Sequence, residues 1–313
     1  MERTTAPLPT EDLLSRFENL GVWKRGGERA PNKPLTVLKA LGLFSQGVRS
    51  LAYSEREKEL TELLTEFGPT RRSAHPEYPF WRLQNDGVWV VESAFDMETR
   101  ASNSGDVPKS QLRAANATGH FPTEIEAAFA REPRLISEVA QLLLEAHFPE
   151  SLHQDILDAV GLPLDFSSGV SLRRKRDPGF RKAVLLAYQY RCAVCGLDMR
   201  IGNVTIGLEA AHIKWHQAYG PDEVGNGIAL CTLHHKLFDL GAFTLGLSHE
   251  MFVSEQVHGT GELDYVLLRH HEGPMQVPNR LEQRPAKEFV NWHREEVFKS
   301  PGRPLREDKP LLR

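Results

Sequence analysis

The chain has 313 residues, 40% of them apolar and 26% charged, with a formal net charge of −4 at pH 7. This composition excludes wholesale disorder, and the length suggests two domains. No uncharged apolar run approaches the ~20 residues that span a bilayer, and a net acidic balance, taken alone, argues against nucleic acid as a partner.

The N-terminus, MERTTAPLPTEDLL, lacks a basic start followed by an apolar run, which reads against a secretory signal and for a cytoplasmic chain without a membrane partner. Residues 21–50 hold six bases and one acid, and Pro31-Asn32-Lys33-Pro34-Leu35 opens an apolar helix. Leu60, Leu63, Leu64 and Phe67 share one face of an acidic helix at about 55–67. FWRLQNDGVWVV reads as a β-hairpin, with Asn85-Asp86-Gly87 turning between residues 81–83 and 88–91. Leu135, Ile136, Val139, Leu142 and Leu143 predict a helix over about 133–147, and Ser151 is placed to cap another that turns Leu152, Ile156 and Val160 inward. Gly161-Leu162-Pro163 and Ser167-Ser168-Gly169 mark a boundary. It divides an N-terminal domain (1–160), a linker (161–177), a C-terminal domain (178–300) and a charged, Pro-containing tail (301–313). Arg173-Arg174-Lys175-Arg176 leads into a helix at about 178–189, and a last helix falls at about 286–298.

The three cysteines, Cys192, Cys195 and Cys231, lie within 40 residues, and nine of the 13 histidines fall from His212 onward. An odd count without a secretion signal reads against a disulfide framework. Cys192-Ala193-Val194-Cys195 and Cys231-Thr232-Leu233-His234 instead form two knuckles that supply a complete tetrahedral shell for structural Zn²⁺, with His235 able to compete with His234.

Between and after these knuckles stand Leu208-Glu209-Ala210-Ala211-His212-Ile213, then Gly225-Asn226, then His235-Lys236-Leu237-Phe238-Asp239. From about Arg176 to Gly241 the chain resembles the HNH endonucleases, the ββα-metal or His-Me finger nucleases. The resemblance implies DNA phosphodiester hydrolysis with one Mg²⁺ or Mn²⁺. By position, His212 matches the general base, Asn226 the residue that holds the loop, and His235 a ligand of the catalytic metal. Asp239, four residues on, shares a helix face with His235 and is a candidate second ligand. Many members carry Asp or His where this chain has Ala211. Glu209 is either the substitute ligand or a neighbouring carboxylate, and strand alternation puts it opposite His212. Lys236, Arg191 and the bases between Arg173 and Lys182 are candidate phosphate contacts, whereas His216, His249, His258, His270, His271 and His293 read as structural or solvated.

Three N-terminal segments carry a second resemblance. The most specific is His75-Pro76-Glu77-Tyr78-Pro79-Phe80-Trp81-Arg82, preceded by Arg71-Arg72; the others surround Lys33 and run from Gly105 through Lys109 to His120. Over most of residues 15–150 they resemble the sulfur-binding domain of restriction enzymes that cut phosphorothioate-modified DNA. A socket for sulfur should be apolar on one side and cationic around the remaining oxygens. Tyr78, Pro79 and Phe80 are candidates for the socket, with Phe80 and Trp81 open to a core role instead. Arg71, Arg72, His75, Lys33, Lys109 and His120 are candidates for contacts to DNA.

Together these expectations describe an α+β protein. A mostly helical N-terminal domain with a hairpin precedes a ββα-metal domain on a zinc knuckle. The implied activity is type IV-like restriction of double-stranded phosphorothioated DNA, with a homodimer as one route to cutting both strands. The alternatives are an HNH enzyme that reads another mark, such as methylated cytosine, or a DNA-binding protein with a degenerate nuclease domain. Locally, residues 173–236 carry ten bases against five acids, so the acidic total does not describe the field at such a surface.

Overall fold

The structure, a computed structural model, describes residues 8–25, 28–71, 73–98, 105–162 and 178–304. Arg72, the basic cluster at 173–176, most of the expected linker and the end of the tail lie outside the described residues. The chain divides into two compact units, Met1–Arg174 and Lys175–Arg313. It mixes helices with small sheets, and among the described residues no helix is long and apolar enough to cross a membrane.

The first unit runs α1 (Thr10–Glu18), β1 (Trp23–Arg25), β2 (Glu28–Ala30), α2 (Asn32–Ser45), β3 (Ser50–Ala52), α3 (Tyr53–Phe67) and α4 (Glu77–Arg82). It continues with β4 (Val90–Glu92), α5 (Lys109–Ala114), β5 (Thr118–His120), α6 (Thr123–Arg131), α7 (Arg134–His147) and α8 (His153–Val160). Strand β5 lies between β3 and β4 in an antiparallel sheet. Helix α2 packs against α3, α4, α7 and α8, which is why its apolar run Pro34–Leu38 and Ala40–Phe44 is buried on all sides rather than on one stripe. Helix α7 buries Leu135, Val139, Leu143 and their neighbours, as the spacing predicts. Phe17, Phe44, Phe121 and Phe129 meet edge-to-face or stacked at centroid separations of 5.5–6.3 Å and fill the centre.

Two expectations fail here. FWRLQNDGVWVV is not a hairpin: residues 77–82 are α4, Leu83–Asp86 is a 3₁₀ turn, and β4 pairs with β5. Pro76, Phe80 and Leu83 are all buried, a helical i, i+4, i+7 spacing within a run that also satisfies alternation. Pro79 sits in the first helical turn, where its missing N–H costs no bond. Gly87 does adopt the left-handed conformation (φ 68°), but it closes the 3₁₀ turn. Likewise Ser151 lies inside a 3₁₀ turn, Glu150–Leu152, and Leu152 occupies the position before α8.

The second unit begins with α9 (Pro178–Ala187). After it come the short hairpin β6 (Arg200–Ile201) and β7 (Val204–Thr205), then β8 (Leu208–His212), β9 (Gly227–Cys231) and α10 (Thr232–Asp239). Next follow β10 (Phe243–Leu245), β11 (Met251–Val253), α11 (Leu263–Val266) and α12 (Lys287–Glu296). Strands β8 and β9 pair antiparallel with Leu208 opposite Cys231 and His212 opposite Gly227, and α10 follows directly, giving a ββα unit. Gly227 is required by packing: a Cβ there would lie 2.3 Å from Val184 and 3.2 Å from the Phe180 ring, both of α9. The Arg181 guanidinium also ties α9 to β8, donating to the Leu208 carbonyl at 2.9 Å.

His293 of α12 is wholly buried, flat against Phe238 at 3.8 Å, with Nδ1 at 2.9 Å from Thr244 Oγ1 and Nε2 at 3.1 Å from the Phe238 carbonyl oxygen. Burial pushes its pKa down from 6.5 to about 4. The unfolded chain therefore takes up this proton below about 6.5, and the folded chain only near 4. Between those values unfolding binds a proton, so acid destabilises the unit, by up to about 3 kcal/mol at the lower end. Denaturant midpoints followed from pH 7 to 4 should fall along this slope, and a His293→Gln chain should lose that part of the pH dependence.

Candidate functional sites

The knuckle cysteines converge. Cys192 and Cys195 follow α9, Cys231 ends β9, and His234 stands in the first turn of α10. Their ligand atoms all lie within 4.8 Å of one another, and they are the one such group of three or more among the described residues. The turn between the first two is closed by Gly196 (φ 72°), whose N–H donates to the Cys192 carbonyl. His234 Nδ1 sits 3.1 Å from Cys231 Sγ and 3.6 Å from Cys192 Sγ, while Nε2 donates to the Val266 carbonyl at 3.0 Å. That bond fixes the tautomer with the Nδ1 lone pair aimed at the sulfurs, so three thiolates and one imidazole fit a tetrahedral metal shell. His234, and not His235, is the fourth member.

His235 faces the other way. Its Nδ1 lies 2.6 Å from Glu209 Oε2 and its Nε2 3.1 Å from Asp239 Oδ2. Burial disfavours a charge on this ring, but Asp239 and then Glu209 outweigh it and push the pKa up to about 10. The His235 hydrogen bond in turn holds Glu209 below its usual range. His235 and Asp239 do share a helix face, as expected, but the three side chains lie in line and do not converge on one point. Asp239 is buried and takes the inner nitrogen, while Glu209, 44% exposed at its side chain, takes the outer one. The expectation that Asp239 points at the same ion as His235 is therefore corrected: its carboxylate meets the nitrogen remote from Glu209. Ala211 is fully buried, and by alternation it shares the strand face of Glu209.

His212 ends β8. Its ring lies on Phe180 at 4.1 Å and 14°, its Nε2 is 2.7 Å from Asp222 Oδ1, and the His216 ring is 5.9 Å away. Asn226 is fully buried and acts on backbone alone: it accepts from the Lys214 N–H and donates to the carbonyls of Lys214 and Pro221. Asp222 and Phe180 escaped the sequence reading, in which His216 stood only as a structural or solvated histidine, since no short spacing marks a partner brought in by a loop or by a separate helix. Arg191, a candidate phosphate contact, pairs with Asp198 at 3.4 Å.

In the first unit α4 presents Tyr78 half-buried. Its ring stacks on His75 at 5.1 Å, and the Arg82 guanidinium lies over it at 4.9 Å. Both neighbours are held from behind. Arg82 forks onto buried Asp106 at 2.6 and 2.5 Å, and His75 Nδ1 is 3.1 Å from Oε1 of buried Glu77. Trp81 Nε1 donates to the Gly105 carbonyl, which brings the segment leading to Lys109 against α4; Lys109 and Arg71 are exposed.

Several candidates fall elsewhere. Phe80 is fully buried among Tyr53 and Trp89 and belongs to the core, and Pro79 lies buried within helix α4 rather than standing in a loop. Lys33 is committed to Asp86 at 2.5 Å, with only 13% of its side chain exposed. His120 bonds the Phe121 carbonyl through Nδ1 and faces Glu92. Arg82 was missed because a hairpin reading hides that it stands one helical turn after Tyr78.

A ββα unit with a histidine at the end of its first strand, a buried asparagine before its second, and a histidine on the helix that follows defines a nuclease domain of the HNH class. Residues 192–246 match the HNH endonuclease family, and residues 10–165 match the family described as the ScoMcrA-like DNA sulfur-binding domain. The chain thus joins a stretch that matches the ScoMcrA-like DNA sulfur-binding domain to one that matches the HNH endonuclease domain. Among solved structures, it is similar to the sulfur binding domain of ScoMcrA complexed with phosphorothioated DNA, at 21% identity and a TM-score of 0.42, over 48% of this chain and 94% of that one. It is similar also to the corresponding SprMcrA domain complexed with phosphorothioated DNA, at 22% identity and a TM-score of 0.42, over 50% and 95%. A third likeness, to the modification-dependent TagI restriction endonuclease, has 22% identity and a TM-score of 0.30, over 44% and 41%. None of the curated proteins compared matches the chain.

Proposed function

We propose that this protein is a restriction endonuclease that recognises phosphorothioated double-stranded DNA with its first unit and hydrolyses a nearby phosphodiester with its second. The observation that carries this reading is the presence, on one chain, of a DNA sulfur-binding domain and an HNH domain that keeps His212, Asn226 and His235.

Sulfur in place of a non-bridging oxygen is larger, more polarisable and a poorer hydrogen-bond acceptor. Tyr78 offers it an aromatic surface whose orientation is set by His75 and Arg82, and those two side chains, with Arg71 and Lys109, serve the remaining oxygens and flanking groups. Tyr78→Ala should weaken binding of a phosphorothioated duplex by roughly 5- to 100-fold, and of the unmodified duplex by much less. Fluorescence anisotropy on the two duplexes measures this; equal losses would remove Tyr78 from sulfur selection.

In the second unit His212 takes a proton from water as the water oxygen bonds to phosphorus and the ester P–O bond on the opposite side breaks. When bound, a divalent ion such as Mg²⁺ or Mn²⁺ would supply positive charge against the negative charge that builds on the phosphate and the leaving oxygen. Glu209 and His235 Nδ1 are the outward-facing donors suited to hold it, and Glu209 stands in for the ligand that Ala211 cannot provide. Asp239 accepts from His235 Nε2, so the Nδ1 lone pair would face outward once a metal ion displaced the proton that Nδ1 shares with Glu209. Cys192, Cys195, Cys231 and His234 would hold structural Zn²⁺. One such active site cuts one strand, so double-strand cleavage takes a homodimer or two encounters. Incubation of matched modified and unmodified duplexes with Mg²⁺ or Mn²⁺ tests the reading; cleavage of both at one rate contradicts it.

A further inference from the structure

We propose that Asp222 is the positioning residue of the His212 base: its carboxylate accepts the Nε2 proton and so fixes both the rotation and the tautomer of the imidazole. This rests on the nuclease reading above. The Phe180 ring beneath His212 sets the plane of the imidazole but not which edge points where, because a ring flipped within that plane stacks equally well. A carboxylate oxygen 2.7 Å from Nε2 removes that freedom. With the proton on Nε2, the lone pair is on Nδ1, which becomes the atom that takes the proton from water; the same carboxylate then stabilises the imidazolium.

The loop that carries Asp222 is itself clamped. Asn226 bonds Lys214, two residues after His212, and Pro221, immediately before Asp222, so one buried side chain bridges the two ends of the loop. Its neck is closed to backbone contact, since a Cβ at Gly220 would lie 1.8 Å from the Lys214 carbonyl oxygen and 2.7 Å from Asn226 Nδ2. The motif asparagine thus acts on the base at one remove: it shapes the loop, the loop presents Asp222, and Asp222 sets His212. The sequence signal is Asp222 ten residues beyond the base and four before Asn226, a spacing that means nothing until the clamp is seen.

The test uses the full-length zinc-loaded chain. Asp222 stands on a loop outside the buried core, so Asp222→Ala should fold. Single-turnover cleavage of the modified duplex should fall on the order of 10²-fold in Asp222→Ala and recover in part in Asp222→Glu, with binding of the duplex unchanged. In long-range ¹H–¹⁵N spectra recorded without Mg²⁺ or Mn²⁺, the His212 signals, assigned by their loss in His212→Ala, should show protonated Nε2 and unprotonated Nδ1. The Ala variant should show both nitrogens averaged, a change that a merely structural role would not produce. Wild-type cleavage by Asp222→Ala, or unchanged imidazole nitrogens in it, overturns the proposal. A wild-type chain that cuts no duplex would remove the nuclease reading instead, and the nitrogen signals would still decide whether Asp222 sets His212.

Discussion

His212→Ala should bind phosphorothioated DNA as the parent chain does and cut it at least about 10³-fold more slowly. The separation is expected because His212 belongs to the unit Lys175–Arg313, whereas Tyr78, Arg82 and His75 belong to Met1–Arg174. Within the second unit, losing the imidazole removes the proton acceptor. It leaves intact the Asn226 clamp and the Glu209–His235–Asp239 row, so DNA and metal still have their partners. Rates under single-turnover conditions with Mg²⁺ or Mn²⁺, alongside anisotropy on the same duplex, check both halves. Cleavage within tenfold of the parent would show that another group accepts the proton, and His216, 5.9 Å away, would be the first to replace.

The second large effect is on folding. Cys231→Ser, or treatment with a strong zinc chelator, should release one zinc ion per chain and melt the second unit while the first still binds modified DNA. Cys231 ends the second strand of the ββα unit, and Cys192 and His234 are themselves buried against the core. Without metal, the buried thiols of Cys192 and Cys231, the exposed thiol of Cys195 and the buried His234 imidazole would face one another with no cation between them. A loss of several kcal/mol follows, roughly 10–20 °C in melting temperature for a unit of this size. Calorimetry of the intact chain should show one transition moving and the other staying. Metal analysis that finds no zinc in the parent chain would contradict the assignment.

Much of the second unit was legible in the sequence because its chemistry is local. Two knuckles of fixed spacing announce a metal shell, and a histidine beside a knuckle needs no tertiary information to be noticed. Which of His234 and His235 joins the shell was not legible, since that depends on the Val266 carbonyl, over 30 residues away, fixing the tautomer of the first. Asp222 was hidden for a similar reason. In the first unit, amphipathic α3 and α7 followed from spacing, but residues 76–83 fit two periods at once. Asn-Asp-Gly favoured the wrong one, and with it went the recognition of Arg82. Phe80 and Pro79 show the converse limit. An apolar residue near a binding motif is read equally well as surface or core, and only packing against Tyr53 and Trp89 decides for Phe80.

His234 and His235 are consecutive, so they leave α10 about 100° apart around its axis. One is claimed by the cysteine cluster and the other by Glu209 and Asp239. The cluster therefore works as an indexing pin: by holding His234 it sets the angular phase of the helix and hence the direction in which His235 projects. Loss of a single thiolate to an oxidant would unseat this helix together with the metal, and His235 would lose its direction without itself being touched by the oxidant.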